Sequence, residues 1–332
     1  TKLALEVTLT EGANISPDPA RVMDYSHPQK FTVTSEDGNW HKEYSVIIDT
    51  FDLPLRYDFE HYELNETGKY QVFFEETQGT ALFKQYIWAS GNSGFALTGV
   101  GRNPQEYPTV SIENGIDGSR AIKLETKSTG QFGETVKMPI AAGNLFLGSF
   151  DVNNAVQKPL KATRFGLPFG KKPLQLKGYY KYTPGTQPFK AKDKNGNTVT
   201  IPGQEDEGDI YAVLYEAAEL DGQALDGNNV LTSENIVALA RVEVEKKDEF
   251  TAFHVDFHYE SRIPIDWPKF IQDQRDPSDD GTAPYLSFSE KKMKSYEYNL
   301  AVVFTSSKYG AYFAGSVGST LCIDKVEIVC EK

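Results

Sequence analysis

Cysteine is almost missing from this sequence: Cys322 and Cys330 are the only two in 332 residues. On one straight strand they stand about 26 Å apart, too far for a bridge. The intervening IDKVEIV holds no Gly, Pro or Asn to reverse the chain. They read as free or packed thiols, and they leave the redox compartment open. Methionine is nearly as scarce, at 3. Positive charge is short: Lys+Arg 34 against Asp+Glu 47 gives a net −13. Such a surface repels a phosphate backbone, so nucleic acid is excluded as a natural partner. No run of about 20 apolar residues occurs, so no helix of the chain is expected to span a bilayer. The sequence carries no leader, and it starts at Thr1 rather than Met, as a processed chain would. An export signal or lipid anchor upstream fits that start. Nucleophile and phosphate-loop motifs are missing as well. There is no G-x-S-x-G, and no helix start follows Ser306-Ser307. There is no G-x-x-x-x-G-K-[ST].

What remains is an ordinary globular composition, 39% hydrophobic and 24% charged, with 18 Tyr and 20 Phe. That aromatic supply suits pleated sheets better than helix bundles. The clearest segment is Arg164 to Gly185, a strand between Pro- and Gly-rich turns. Leu174, Leu176, Tyr180 and Tyr182 alternate with Gln175, Lys177, Tyr179 and Lys181, as in a half-buried strand. Residues 209–217 and 300–307 are apolar on both faces and read as central strands. Residues 234–247 could hold a helix, but Val242 and Val244 alternate, which favours a strand. The last strand, at the C-terminus, has a bulge near Asp324. Residues 90–94, SGNSG, read as a turn, and Asn195-Gly196 as a hairpin tip.

These patterns predict an all-β chain of two domains. Residues 1–52 form a small Ig-like sandwich: Leu3, Leu5, Val7 and Leu9 alternate, and Asp37-Gly38 turns a hairpin before Tyr44, Val46 and Ile48. Residues 53–332 form a larger sandwich or jelly roll, with Pro54 marking the change.

Candidate chemistry is sparse. His254, Asp256 and His258 share one strand face. Same-face neighbours stand about 7 Å apart, while a zinc ion wants donors at about 2 Å, so a polar solvent face is the better reading. Asp193, Asn195 and Asn197 imitate the start of a calcium loop. Its glycine falls fourth rather than sixth and its twelfth position is Gln204, so the pattern fails. Glu205, Asp206, Glu207, Asp209, Asp273, Asp276, Asp279 and Asp280 could pair for glycoside hydrolysis, but they look like solvated acidic loops. No cofactor is called for, with a structural calcium ion the one ion the scattered carboxylates could hold. Aromatics that could stack on sugars are Trp88 beside the SGNSG turn, Tyr107, Tyr179 and Trp267, with Asn92 offering an amide. For each ring the competing reading is core packing.

Several segments resemble known families. GANISPDPARVMDYSHPQKFTVTSEDGNWHKEYSVII is similar to the short Ig-like N-terminal domains of exported Bacteroidetes lipoproteins. YIWASGNSGF, AAGNLFLGSF, RFGLPFGKKPLQLKGYYKY, DEGDIYAVLYE and VVFTSSKYGAYFAGSVGSTLCIDKVEI, spanning 86–328, resemble the putative carbohydrate metabolism domain of gut Bacteroidetes. The resemblance implies a jelly-roll sandwich similar to carbohydrate-binding modules, in a secreted or outer-membrane-anchored protein. It supplies no catalytic residues. The expected function is non-catalytic binding of a polysaccharide or oligosaccharide by a monomer, at the cell surface or in the periplasm. The alternatives are a glycoside hydrolase using paired carboxylates, and a structural or adhesion protein.

Overall fold

The computed structural model describes residues 2–25, 29–46, 52–77, 83–220, 223–276 and 281–331. Ile48, residues 80–82, Asp279 and Asp280 therefore lie outside the described residues. The chain divides into two compact units, Thr1–Asp52 and Leu53–Lys332.

The first unit is all strand. Asn14–Ser16, Gln29–Thr34 and His41–Val46 form an antiparallel sheet, and Lys2–Leu3 pairs with Met23–Asp24. The Asp37-Gly38 turn joins the long pair, with Gly38 at φ +70°, where glycine carries no steric cost. Its core is small: Tyr25 and Phe31 are buried, their rings stacked 6.3 Å apart.

The second unit is a two-sheet antiparallel sandwich, as the jelly-roll reading requires. One sheet runs in the order Trp88–Ala89, Asn144–Phe150, Tyr298–Thr305, Asp209–Glu216, Ile236–Val242, with two short strands between Thr163 and Pro168 alongside. The other runs Thr109–Ile112, Ala121–Glu125, Thr320–Cys330, Pro173–Thr183, Lys247–Asp256. Period-two alternation decides what each face does. Leu145, Ile210, Leu214, Leu300, Val302 and Phe304 of the first sheet meet Leu124, Leu176, Tyr180, Phe253 and Ile323 of the second in the main core. Tyr211, Val213, Tyr215, Leu239, Ala301 and Val303 point the other way, into a second core. That core is closed by loop residues Leu225, Val230, Leu231 and Tyr285 rather than by a sheet. The described helices are short, six residues at most in the α-helix Gly130–Thr135.

The organising strand behaves as its pattern dictates from Leu176 to Tyr182, with alternate residues buried. Leu174 departs from it. A register shift between Pro173 and Gln175 buries Pro173 and leaves Leu174 38% exposed. The bulge near Asp324 is present: pairing slips between Lys177 and Tyr179, and Lys325 sits at φ +46°. SGNSG is not a simple turn but the start of a short helix, Asn92–Ala96. Residues 236–242 are a strand. His254, Asp256 and His258 are exposed, with Phe253 and Phe257 turned inward. Cys322 and Cys330 lie on one strand as free thiols.

Candidate functional site

The loop-covered face of the first sheet is incompletely filled. A cavity of about 200 Å³ lies against it. That is below the roughly 300–1,000 Å³ of a typical small-molecule pocket, and suits one ring rather than a chain. Sheet register builds its floor in two rows. Asn144, Thr305 and Asp209 are directly opposed on three adjacent strands, and so are Phe146, Val303 and Tyr211 two residues further on. The rows stand about 7 Å apart on the same face. The first is polar and the second apolar.

Asp209 opens its strand and is 3% exposed. Arg241, on the neighbouring strand, clasps it with Nε donating to Oδ1 at 3.0 Å and Nη2 to Oδ2 at 2.6 Å. Their side chains are 14% and 4% exposed. Burial alone would lower the Arg241 pKa, but the Asp209 charge and its hydrogen bonds outweigh it and hold the guanidinium above its ordinary value. Nearby, Lys308 donates to Glu207 Oε2 at 2.7 Å. The buried Arg241–Asp209 pair contributes little net stability. It does place donors and an acceptor, already oriented, at the bottom of a cavity.

The wall is aromatic. The Arg275 guanidinium stacks 4.1 Å over the Trp267 ring and donates to the Tyr312 hydroxyl at 2.8 Å. The Trp267 indole N–H is buried and has no hydrogen-bond partner. Phe313 lines the cavity with φ +57°, a left-handed conformation that a bulky residue adopts only where its surroundings hold it. Its segment is pinned to the sheet through Asp206. Asp206 Oδ2 accepts from Ser307 Oγ at 2.6 Å, Ser316 N at 2.7 Å and Ser319 Oγ at 2.7 Å. Gly315 is required there: an added Cβ would stand 2.5 Å from Ser307 Oγ and 2.9 Å from Asp206 Oδ2. Burial pushes the Asp206 carboxyl up to about 6 despite these donors.

Among the five expected ligand-binding residues, the cavity takes Trp267 alone. Trp88 is 4% exposed, between Tyr57, Phe59 and Phe304 in the main core, and donates to Glu75 at 2.7 Å. Tyr107 is 1% exposed and packs on Tyr70 and Phe95. Neither ring offers a face to a sugar. Asn92 is fully buried and ties two segments together, donating to Thr109 O at 2.8 Å and accepting from Thr109 N at 3.1 Å. Tyr179 lies on the outer face of the other sheet, half-buried between Lys177 and Lys181. The acidic loop splits: Glu205 and Glu207 are exposed, whereas Asp206 and Asp209 are buried. Arg241, Arg275, Tyr312 and Phe313 were not anticipated. The available signal was Arg241 itself, a single charge in the apolar run IVALARV, facing Asp209 at the head of another apolar strand.

Residues 58–329 match the family described as "Putative carbohydrate metabolism domain". Residues 1–48 match the family described as "SGBP, N-terminal". Two solved structures are similar over most of their length. One is described as a putative glycoside hydrolase from Bacteroides thetaiotaomicron VPI-5482, with 42% identity and a TM-score of 0.80. The alignment covers 100% of this chain and 87% of that one. The other carries the same description, from Bacteroides vulgatus ATCC 8482, with 36% identity and a TM-score of 0.68. There the coverage is 85% of this chain and 100% of that one. No curated protein matches.

Proposed function

The chain belongs to the putative carbohydrate metabolism domain family, and from that premise we propose that it binds a glycan without cleaving it. The cavity under the loop layer receives one sugar ring. Asp209 accepts from ring hydroxyls, Arg241 donates to them, and Trp267 forms part of the aromatic wall.

The observation that carries binding over hydrolysis is the count of carboxylates. Glycoside hydrolysis uses two, about 5–9.5 Å apart across the sugar. Among the described residues lining the cavity, Asp209 is the sole carboxylate, and Arg241 holds it in a bidentate ion pair. A carboxylate so clasped is a poor general acid. The hydrolase description of the two similar structures belongs to those proteins.

The N-terminal match and the Bacteroides relatives support a place at the bacterial surface or in the periplasm. Among the described residues no helix is long and apolar enough to cross a membrane.

Calorimetry against a panel of oligosaccharides and glycosides tests the proposal. We expect saturable binding to at least one, weakened tenfold or more by Asp209→Asn and by Trp267→Ala in variants that melt cooperatively. Release of reducing ends that Asp209→Asn abolishes would replace this reading with the hydrolase.

A further inference from the structure

The loop layer makes this site a pocket rather than a groove. A polysaccharide laid along a sheet needs an uncovered strand face, and Leu225, Val230 and Leu231 cover this one. The lining beyond the sheet comes from the helices Asn92–Ala96 and Gly130–Thr135, from loops 155–163 and 227–231, and from the segments of Trp267 and Tyr312. At about 200 Å³ the space between them holds one ring.

Hydrogen-bonding capacity is left over at several places around that space. Tyr211 lies on the floor, and its hydroxyl makes no hydrogen bond among the described residues. Thr163 lines the wall with a hydroxyl equally unengaged. Asn228 donates its amide to Asp226 at 2.8 Å and keeps its Oδ1 as an acceptor. Arg241 uses Nε and Nη2 on Asp209 and retains further guanidinium donors. These groups belong to separate strands and a loop, so they can engage one ring at several of its hydroxyls. A residue inside a glycan chain has two oxygens tied up in linkages, and its neighbours must leave the pocket on two sides. A terminal residue has a single linkage and the most free hydroxyls. Leaving a buried polar group unsatisfied costs roughly 1–3 kcal/mol, so spare donors and acceptors on several sides match the terminal residue best.

Resting on the glycan-binding reading above, we propose that the site recognises the terminal residue of a glycan chain, with the Tyr211 hydroxyl as a specificity-determining contact on the floor. The ring enters the pocket up to its one linkage. The rest of the chain stays in water and adds little affinity.

Calorimetry with both anomers of the methyl glycosides of glucose, galactose, mannose, xylose and arabinose, each against the matching linear tetrasaccharides, decides it. For a sugar that binds, we expect the tetrasaccharide to stay within threefold of the methyl glycoside. Tyr211→Phe removes one oxygen and keeps the ring, and should weaken both ligands by the same factor, roughly threefold to tenfold. Where Tyr211→Phe fails to melt cooperatively, Thr163→Val makes the same comparison at the wall. A tetrasaccharide bound tenfold or more tighter than its methyl glycoside overturns terminal recognition and leaves glycan binding intact. So does a linear polysaccharide that seats more than two copies of the protein per chain. Unchanged affinity in Tyr211→Phe overturns the floor contact. No binding by any of these probes overturns the glycan-binding reading itself, and this inference with it.

Discussion

The two faces of one sheet make the instructive comparison. Strand Asp209–Glu216 turns Ile210, Ala212 and Leu214 one way and Tyr211, Val213 and Tyr215 the other, and all are buried. The inner face meets a second sheet of complementary pitch, and side chains interdigitate at crystal-like density. The outer face meets loops, whose own backbone polar groups must be satisfied first. Tyr215 illustrates this: its hydroxyl donates to Phe165 O at 2.6 Å and accepts from Asn299 at 3.0 Å. Loops that must solve such constraints leave space, and the cavity is where they left it. A fold of this kind makes its site by covering one face badly.

The largest expected effect tests that contrast directly. Phe304 is fully buried on the inner face, and Val303, beside it in sequence, lines the cavity on the outer. Phe304→Ala should cost about 3–5 kcal/mol of unfolding free energy, because a cavity opens in a packed core. Val303→Ala enlarges a space that already exists, so roughly 1–2 kcal/mol, the transfer term alone, should be lost. Urea unfolding of both variants measures the difference. Equal losses would mean that the outer layer is packed as tightly as the core.

The ion pair sharpens the comparison, since it lies beside the cavity on the outer face. Arg241→Ala leaves Asp209 buried and uncompensated, at an expected cost of about 3 kcal/mol. Replacing both, Asp209→Leu with Arg241→Met, should return stability to within about 1 kcal/mol of wild type while abolishing glycan binding. A double variant as unstable as Arg241→Ala would show that the pair holds the fold rather than the ligand.

How much of this was legible follows the same division. The sandwich could be read because alternation is a local signal: Leu176, Tyr180 and Tyr182 announce their face without reference to any partner strand. Even there Leu174 was misplaced, since one register shift reverses every assignment beyond it. The site was mostly illegible. Trp88 and Tyr107 were plausible sugar platforms until tertiary packing buried them, and propensity carries no record of which aromatic will be covered. Arg241 and Asp209 are 32 positions apart, and only the pairing of their strands joins them. Asp206 and Asp209 lay in a stretch that composition alone reads as solvated.

Those two acids, three positions apart, carry the smallest and last contrast. Asp209 is answered by a guanidinium, Asp206 by hydroxyls and two backbone N–H groups. Hydroxyl donors do not neutralise a charge, so burial wins and the Asp206 carboxyl rises from 3.8 to about 6. A raised carboxyl pKa means that the folded state takes up the proton more readily than the unfolded one. Its stabilising contribution is therefore complete below about pH 4 and is lost as pH rises toward 6, on the order of 3 kcal/mol over that window. Asp206→Asn removes the titration. Melting temperature plotted for wild type minus variant should fall between pH 4 and 6 and stay level above it. A difference that climbs over that range would mean the donors from Ser307, Ser316 and Ser319 outweigh burial. Asp206 would then act as a permanent anionic anchor for the Phe313 segment, and the outer layer would be held by charge on both sides of the cavity.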